Sequence, residues 1–307
     1  MMTNKKLIYL AGPTGVGKTD ISITLAEKLN TEIVSCDSRQ LFKELKIGTS
    51  PPSKKQLKEI KHHFIHSKSI HDIYNAGLYE KDAIKVLNEL FKINDYVLLV
   101  GGSGLYADSI MYGIDDFPDI PVKIRDEIVK NYDLKGIEYI QNRLKLLDPD
   151  YYSEVDSKNT NRIIRALEII EYTGNRYSSY RTNRRKHRDF ESHIILIECE
   201  RNRLYTRINN RVDLMLKDGL EEEAYNLKGY KNLNTLNTVG YKEFFSYFEN
   251  KISYSDAVDE IKQNTRNYAK RQITWFKKYK NSIKINYNDD TKSILKNLNN
   301  ILWKYLK

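Results

Sequence analysis

The sequence predicts an α/β protein in which helices flank a parallel β-sheet and a mostly helical insertion domain interrupts it. Three observations support this prediction. Short apolar runs recur along the chain, helical periodicity lies between them, and a long middle segment lacks any strand-like run. The length of 307 residues is enough for one such domain with an insertion.

Four apolar runs predict the strands of the sheet. The first, at residues 7–11, ends at Gly12, and Ile21 and Leu25 then repeat at helical spacing in a helix predicted over Lys18–Leu29. The other strands are predicted at residues 32–36, 96–100 and 194–199, with helical segments such as residues 78–91 between them. Their flanks are typical of buried strands in a parallel sheet.

The segment between the third and fourth predicted strands indicates the insertion. Ile163, Leu167 and Ile170 repeat at helical spacing, and Pro118 and Pro121 mark the beginning of the segment. We therefore predict a catalytic domain formed by residues 1–118 and 191–307, with a helical insertion at residues 119–190.

The charge balance favours a phosphate-rich partner. Lys and Arg number 51 against 41 Asp and Glu, which gives a net charge of +10. The surplus is concentrated in the sequence RTNRRKHR at residues 181–188, where the charges would repel one another unless anions lie nearby. Further basic residues fall four apart on two predicted helices: Arg203, Arg207 and Arg211, then Lys262, Arg266 and Lys270.

Composition also excludes some classes of protein. No run of 18 apolar residues occurs, so the sequence predicts neither a membrane span nor a signal peptide, and we expect a cytoplasmic protein. Only Cys36 and Cys199 are present, too few for a disulfide framework or a thiolate zinc site.

The motif that carries most information is GPTGVGKT. It matches G-x-x-x-x-G-K-[ST] between a predicted strand and a predicted helix, which is the context of a phosphate loop. The fold prediction thereby becomes a sheet like that of the phosphate-loop NTPases. Backbone N–H groups of such a loop bind a diphosphate, while Lys18 adds positive charge and Thr19 offers a hydroxyl to Mg²⁺. The predicted diphosphate-binding residues are Gly12, Pro13, Thr14, Gly15, Val16, Gly17, Lys18 and Thr19.

An acidic residue near this loop favours chemistry other than nucleotide hydrolysis. In kinases and hydrolases an acid at the end of a strand often holds the metal, yet the strand at residues 96–100 ends in glycine. Asp37 instead ends the second predicted strand, at the edge of the sheet where α/β proteins bind ligands. Asp37 could equally cap the turn that follows it. Glu198, near the end of the fourth strand, is interpreted as structural.

The order of the motifs identifies a family. Besides the phosphate loop, the chain contains SCDSRQLFKELKIGTSPPS at 35–53, HHFI at 62–65, VGGSGLY at 100–106, NRIIRALEIIEYTG at 161–174, VGYKEF at 239–244 and TRNYAKRQITWFKK at 265–278. In this order and spacing the chain resembles the bacterial-type tRNA dimethylallyltransferases over nearly its whole length. One departure is Ser50-Pro51-Pro52, where the family usually has A-K-P, and it leaves the conformation of this loop open.

The resemblance implies a reaction. A dimethylallyl group would pass from dimethylallyl diphosphate to N6 of adenosine 37, the residue 3′ of the anticodon in tRNA. Asp37 would be the general base, a role worth on the order of 10²–10⁴-fold in rate. Lys18, Thr19 with Mg²⁺, Arg266 and then Arg271 would neutralise the leaving diphosphate.

The resemblance also implies that the insertion binds tRNA through its anticodon stem-loop. The residues implied to contact tRNA are Asp37, Ser38, Arg39, Gln40, Ser103, Arg125, Asn159, Thr160, Asn161, Arg162 and Ile163. A basic lining and a pocket for one extruded base would serve such a substrate. We expect the protein to be a monomer.

Three alternatives stay open on the sequence alone. A small-molecule kinase would place ATP in the phosphate loop and use Asp37 on a hydroxyl, but it lacks the acid at the strand end. An RNA-binding nucleotide switch would explain the charge without catalysis. An adenylate isopentenyltransferase would share the loop and Asp37, yet it needs no large basic surface.

Overall fold

The structure is a computed structural model that describes residues 5–182 and 184–287. Within these residues, six strands form one parallel sheet in the order β3-β2-β4-β1-β5-β6. The strands are β1 (Lys6–Ala11), β2 (Ile33–Ser35), β3 (His62–His63), β4 (Tyr96–Gly101), β5 (Glu191–Glu198) and β6 (Ile283–Asn286). The predicted fold, a parallel sheet with flanking helices and a helical insertion, is confirmed.

The chain divides into two compact units. The larger contains the described residues up to Met111 and from His187 onward, and the smaller is Tyr112–Lys186. The boundaries predicted from sequence, 119 and 190, differ from these by a few residues. The helices of the larger unit are α1 (Lys18–Leu29), α2 (Lys54–Glu59), α3 (Ala76–Ile93), α4 (Gly104–Met111), α10 (Arg201–Lys217), α11 (Leu220–Leu227), α12 (Lys242–Phe248) and α13 (Tyr254–Phe276).

Strand β1 lies at the centre of the sheet. It pairs with β4 on one side and with β5 on the other, so Ile8 lies between Leu98 and His193. Leu7, Ile8, Tyr9 and Leu10 are all fully buried. A parallel strand covered on both faces has a continuous apolar sequence, which is why this strand was predictable.

Two strands were not predicted. β3 consists only of His62 and His63, which are too few and too polar to show any pattern. β6 pairs with β5 at the edge of the sheet, and its Lys284 and Asn286 are exposed. Because β6 alternates over only four residues, its signal is weaker than that of the buried strands.

The smaller unit consists of helices within its described residues: α5 (Val122–Lys135), α6 (Ile137–Leu147), α7 (Pro149–Glu154), α8 (Thr160–Thr173) and α9 (Tyr177–Tyr180). Ile163, Leu167 and Ile170 of α8 are buried against Ile140 and Leu144 of α6. The helical spacing read from the sequence therefore marks the core of this unit.

A buried ion pair holds the chain in place where it returns to the larger unit after residue 186. Arg188 donates to Glu80 Oε1 at 2.6 Å, to Ser109 O at 2.8 Å and to Ile110 O at 2.7 Å. Both charged side chains are largely buried, so each needs the other as a partner. The contacts fix the chain beside the end of α4.

Three connections meet at the carboxyl edge of the sheet. The phosphate loop follows β1, Asp37 lies two residues after β2, and the glycine cluster 101–104 begins at the end of β4. Since β1, β2 and β4 are neighbours in the sheet, these segments lie side by side. Among the described residues, no helix has the length and apolar character that crossing a membrane requires.

Candidate active site

A cavity of about 690 Å³ opens at the carboxyl edge of the sheet in the larger unit. Its wall includes the phosphate loop, the segment after β2, and residues of α10 and α13. Most of the residues predicted to bind the diphosphate thus lie around one cavity.

The phosphate loop has the backbone shape that its glycines permit. Gly15 and Gly17 have φ angles of 79° and 95°, in the left-handed region that favours glycine. Gly12 has an ordinary φ but little space, because a Cβ there would lie 3.0 Å from Ile197 O. The loop leads directly into α1, whose first residue is Lys18. Its backbone N–H groups therefore lie at the positive end of a helix dipole.

Lys18 lies in a poorly solvated position within this loop. Its Nζ donates to Gly12 O at 2.9 Å and to Pro13 O at 3.0 Å. Burial lowers the pKa of Lys18 to about 8, the nearby Asp37 carboxylate opposes this shift, and Arg211 adds to it. An anionic ligand would favour the charged amine and would compensate for the lost hydration.

Two arginines of α10 contact the phosphate loop. Arg207 Nε donates to Gly15 O at 2.8 Å, and Arg211 donates to Thr14 Oγ1 at 3.3 Å. Burial lowers the pKa of Arg211, while Asp37 acts in the opposite direction. From the sequence, both arginines count toward the positive charge expected to attract a phosphate-rich partner, and their contacts are open. The structure places both at the phosphate loop, since α10 follows β5, which neighbours β1.

Asp37 caps a turn and also lies at the wall of the cavity. Its Oδ1 accepts hydrogen bonds from the backbone N–H of Arg39 at 2.9 Å and of Gln40 at 3.3 Å, which caps the turn. The residue also lines the cavity together with Lys18. Its charge contributes to the pKa shifts of both Lys18 and Tyr268. The carboxylate is therefore structurally anchored and close to the cationic groups of the loop.

The second glycine cluster connects the segment after β2 with α13. Ser103 Oγ accepts the N–H of Ser38 at 3.0 Å and donates to Ser38 Oγ at 3.1 Å. Tyr268 of α13 also hydrogen-bonds Ser103, and burial, followed by the charge of Asp37, raises the pKa of Tyr268 to about 12. Ser38, Ser103 and Tyr268 thus form a connected polar group near the charge of Asp37.

Gln272 bridges both glycine loops. Its Oε1 accepts the N–H of Thr14 at 2.8 Å, and its Nε2 donates to Gly102 O at 2.9 Å. The side chain is buried, and a Cβ at Gly102 would lie only 2.1 Å from Nε2. Neither Gln272 nor Tyr268 was selected from the sequence. Their only signal was a spacing of four residues within the RNYAKRQ stretch, which places them on one helix face.

The loop at residues 48–50 is held by polar contacts. Gln40 Nε2 donates to Thr49 O at 3.2 Å and to Ser50 O at 3.0 Å. The Glu223 carboxylate accepts the N–H of Gly48 at 3.1 Å. Ser50 has a φ of 47°, in the left-handed region. These contacts define the conformation up to Ser50, the first of the three residues at which the sequence departs from the family pattern.

The two arginines expected from α13 differ in position. Arg271 lines the cavity, with its guanidinium 5.7 Å from the Tyr268 ring centre. Arg266 instead donates to Asn209 Oδ1 at 2.7 Å and is not among the described residues of the cavity wall. Arg271, the second choice from the sequence, therefore lies at the cavity, whereas Arg266, the first choice, contacts α10. Arg39, also near the cavity, donates to Thr235 O at 3.2 Å.

In the smaller unit, the residues predicted to bind tRNA cluster at the beginning of α8. Asn159 caps the helix by accepting the Arg162 N–H at 3.2 Å, and Asn161 and Arg162 are exposed beside the half-buried Thr160. Ile163 is fully buried in the core of this unit, so its side chain does not reach the surface, and its predicted contact with tRNA stays a prediction.

Arg125, also predicted to contact tRNA, is partly exposed. It forms an ion pair at 2.5 Å with Glu168, which pairs with Arg165 as well.

The basic stretch at 181–188 is less repulsive than its sequence indicates. Arg181 pairs with Glu154 at 2.6 Å, and Lys186 pairs with Asp116 at 2.8 Å. Arg188 belongs to the buried pair with Glu80. Carboxylates of the protein thus neutralise charges for which the sequence analysis required external anions. Asn183 lies outside the described residues.

The donor set of the cavity fits Mg²⁺. The Thr19 hydroxyl and the Asp37 carboxylate line the same cavity as the phosphate loop. Magnesium prefers oxygen ligands and is usually held by one or two protein groups together with substrate phosphates. Thr19 is thus the residue best placed to contribute a protein ligand beside a bound diphosphate.

The pKa of Lys18 gives a direct test of this geometry. In the ligand-free protein, acetylation of Lys18 should increase with pH around a midpoint near 8, because only the neutral amine reacts. Peptide mass spectrometry after brief labelling between pH 6 and 11 measures this midpoint. Asp37→Asn removes a charge that raises the pKa of Lys18, so the midpoint should fall further. A midpoint near 10.4, the ordinary value for lysine, would contradict the buried position.

Comparison with known proteins agrees with the motifs. The tRNA dimethylallyltransferase of Flavobacterium psychrophilum is 46% identical over 299 residues, which cover 95% of this chain and 97% of that protein. The crystal structure of a tRNA isopentenylpyrophosphate transferase from Bacillus halodurans has a TM-score of 0.72 and 31% identity, covering 98% of this chain and 97% of that one.

A second solved structure shows the same fold. It is described as a eukaryotic dimethylallyltransferase acting on tRNA, with a TM-score of 0.74 and 25% identity over 92% of this chain and 74% of that one. The family model described as IPP transferase matches residues 40–279. Because this match spans most of the chain, and the bacterial relatives align over nearly all of it, the chain belongs to the IPP transferase family.

Proposed function

We propose that this protein transfers a dimethylallyl group from dimethylallyl diphosphate to N6 of adenosine 37 in tRNA. The observation that carries the proposal is the position of Asp37, which lies in one cavity with the phosphate loop and its partly buried cations. That arrangement suits a reaction with an anionic leaving group and a proton to remove. Membership of the IPP transferase family and the names of its bacterial relatives support the choice of substrates.

The donor diphosphate is proposed to lie in the phosphate loop. Loop N–H groups would bind its oxygens, and Lys18, Arg207, Arg211 and Arg271 line the cavity around them. Mg²⁺, held by Thr19 and the diphosphate, would supply further positive charge to the leaving group. Cations already in place lower the barrier because they need not reorganise as charge develops.

Asp37 is proposed to accept the proton of the acceptor amine. The N6 nitrogen forms a bond to C1 of the dimethylallyl group while the bond from C1 to the diphosphate oxygen breaks. The N6 proton passes to the Asp37 carboxylate, and the electron pair of the broken bond leaves with the diphosphate. Hydrogen bonds from the Arg39 and Gln40 N–H groups hold one carboxylate oxygen in place during this transfer.

The helical unit is proposed to bind tRNA. The exposed polar residues Asn161 and Arg162 lie in the first turn of α8, where backbone N–H groups and the helix dipole favour phosphate. The basic composition of the chain would assist through release of counterions from the RNA. A cytoplasmic location and a monomeric state stay predictions from the sequence.

Transfer of an isotopic label tests the reaction. The protein is incubated with Mg²⁺, dimethylallyl diphosphate labelled in the prenyl group, and either an unmodified tRNA, AMP or ATP. Label should enter tRNA at adenosine 37 and not AMP or ATP, since the unit Tyr112–Lys186 is proposed to bind tRNA. Label in AMP alone would favour an adenylate isopentenyltransferase. Loss of the γ-phosphate of ATP to an acceptor without label transfer would favour a kinase.

Asp37→Asn tests the general base. Asparagine retains an oxygen that can accept the Arg39 and Gln40 N–H groups, so the turn should persist while the base is lost. Transfer should fall by on the order of 10²–10⁴-fold in single-turnover assays, with the Kd for tRNA within about threefold of the wild type. Asp95→Asn, at the opposite end of β4, is the matched control. Normal turnover by the Asp37→Asn variant would show that Asp37 is not the general base.

Gln272 is proposed to align donor and acceptor. The Thr14 N–H belongs to the diphosphate loop, and Gly102 precedes Ser103, which contacts the segment after Asp37. A bridge between these loops controls the separation of the leaving group and the base. Small errors in such alignment are costly, since a displacement of about 1 Å can lower the rate about 10²-fold.

Gln272→Met keeps the size of the side chain and removes both hydrogen bonds. We expect kcat to fall about 10- to 100-fold while KM for both substrates changes less than about threefold, because misalignment affects the reaction more than binding. Ile273→Met, at the neighbouring and partly exposed position, serves as the control. An unchanged kcat, or a loss confined to the KM of one substrate, would contradict the alignment role.

A further inference from the structure

Tyr287 lies behind the phosphate loop, outside residues 40–279 that the family model matches. It follows β6, and its backbone N–H donates to Glu198 O at 2.7 Å, which continues the pairing of β6 with β5. Its ring is buried in the core that contains Val16 and Ile208. The residue after β6 thus places an aromatic ring next to the phosphate loop.

The ring contacts both the loop and an arginine. A Cβ on Gly17 would lie 3.0 Å from Tyr287 Cε2 and 3.2 Å from an Arg207 nitrogen. The Arg207 guanidinium lies 4.5 Å from the ring centre, and its Nε donates to Gly15 O. The guanidinium therefore lies between the aromatic ring and the backbone of the loop.

Both contacts of Arg207 restrain its side chain, and neither brings a negative charge to it. Stacking on a ring and bonding to a carbonyl fix the orientation of the guanidinium without neutralising its charge. A carboxylate partner in the same place would compete with the diphosphate. Tyr287 thus restrains a long, flexible cation that lines the cavity while its charge stays available for an anion.

We infer that Tyr287 is a positioning residue for the donor diphosphate and acts through Arg207. This inference rests on the proposed function, because it assumes that the loop binds an isoprenyl diphosphate. It adds that the ring holds Arg207 against Gly15 and Gly17 before the ligand arrives. Loss of the ring should weaken diphosphate binding and leave tRNA binding unchanged.

Binding of inorganic diphosphate with Mg²⁺, measured by calorimetry, is the first test. Tyr287→Leu removes the aromatic face, and the Kd for diphosphate should rise about tenfold, equivalent to about 1.4 kcal/mol. Tyr287→Phe keeps the face and should restore the wild-type Kd. The KM for dimethylallyl diphosphate should follow the same order, whereas the Kd for tRNA should stay within about twofold.

A double-mutant cycle separates positioning from general packing. In an Arg207→Gln background, Tyr287→Leu should change the Kd for diphosphate less than about twofold, since the group that the ring positions is gone. Additive losses in the cycle, or wild-type affinity in Tyr287→Leu, would overturn the inference. Tyr287→Met is measured in parallel in case the leucine variant does not fold. If the wild-type protein binds no diphosphate, the proposed function itself fails.

Discussion

A single buried amide determines how the two halves of the site face each other. Gln272 accepts from the loop after β1 and donates to the loop after β4, so it needs both an acceptor and a donor at the end of one planar group. Glutamate lacks the donor and methionine lacks both. Because Tyr268 lies about one turn before Gln272, and Arg271 directly precedes it on the same helix, the register of α13 also sets what faces Asp37. The alignment of the diphosphate substrate with the accepting tRNA base thus depends on how helix α13 packs.

The second organising feature is an excess of positive charge beside one carboxylate. Lys18 and Arg211 both lose hydration on burial, and their pKa values are lowered, while Asp37 counteracts this in each case. In the absence of ligand these cations contact neutral oxygens of the loop. A site of this kind is destabilising for the folded protein and favourable for an anion. The surrounding core, centred on β1, compensates for that cost.

Most of the fold could be predicted from local pattern. Strand β1 has a continuous apolar sequence because it is covered on both faces. Helix α1 has a periodic sequence because only part of its surface is buried. β3 and β6 could not be found, since two histidines or four alternating residues at an edge carry little hydrophobic signal. The phosphate loop and Asp37 were accessible because each lies at the end of a strand, where topology alone brings them together.

The contributions from distant helices were harder to predict. Spacing showed that Arg207 and Arg211 share a helix face, but it could not show which surface that face contacts. Gln272 and Tyr287 act through contacts with residues far away in sequence. Such assignments depend on tertiary packing rather than on the pattern of one segment.

The glycine cluster at 101–104 has a different physical origin from the glycines of the phosphate loop. Gly15 and Gly17 adopt left-handed φ angles, whereas a side chain at Gly102 or Gly104 would collide with Gln272 or Trp275. The cluster therefore provides clearance for α13. Tolerance to mutation at Gly102 and Gly104 would report how closely this helix approaches the sheet. In this protein the glycines at 102 and 104 are therefore explained by the close approach of helix α13.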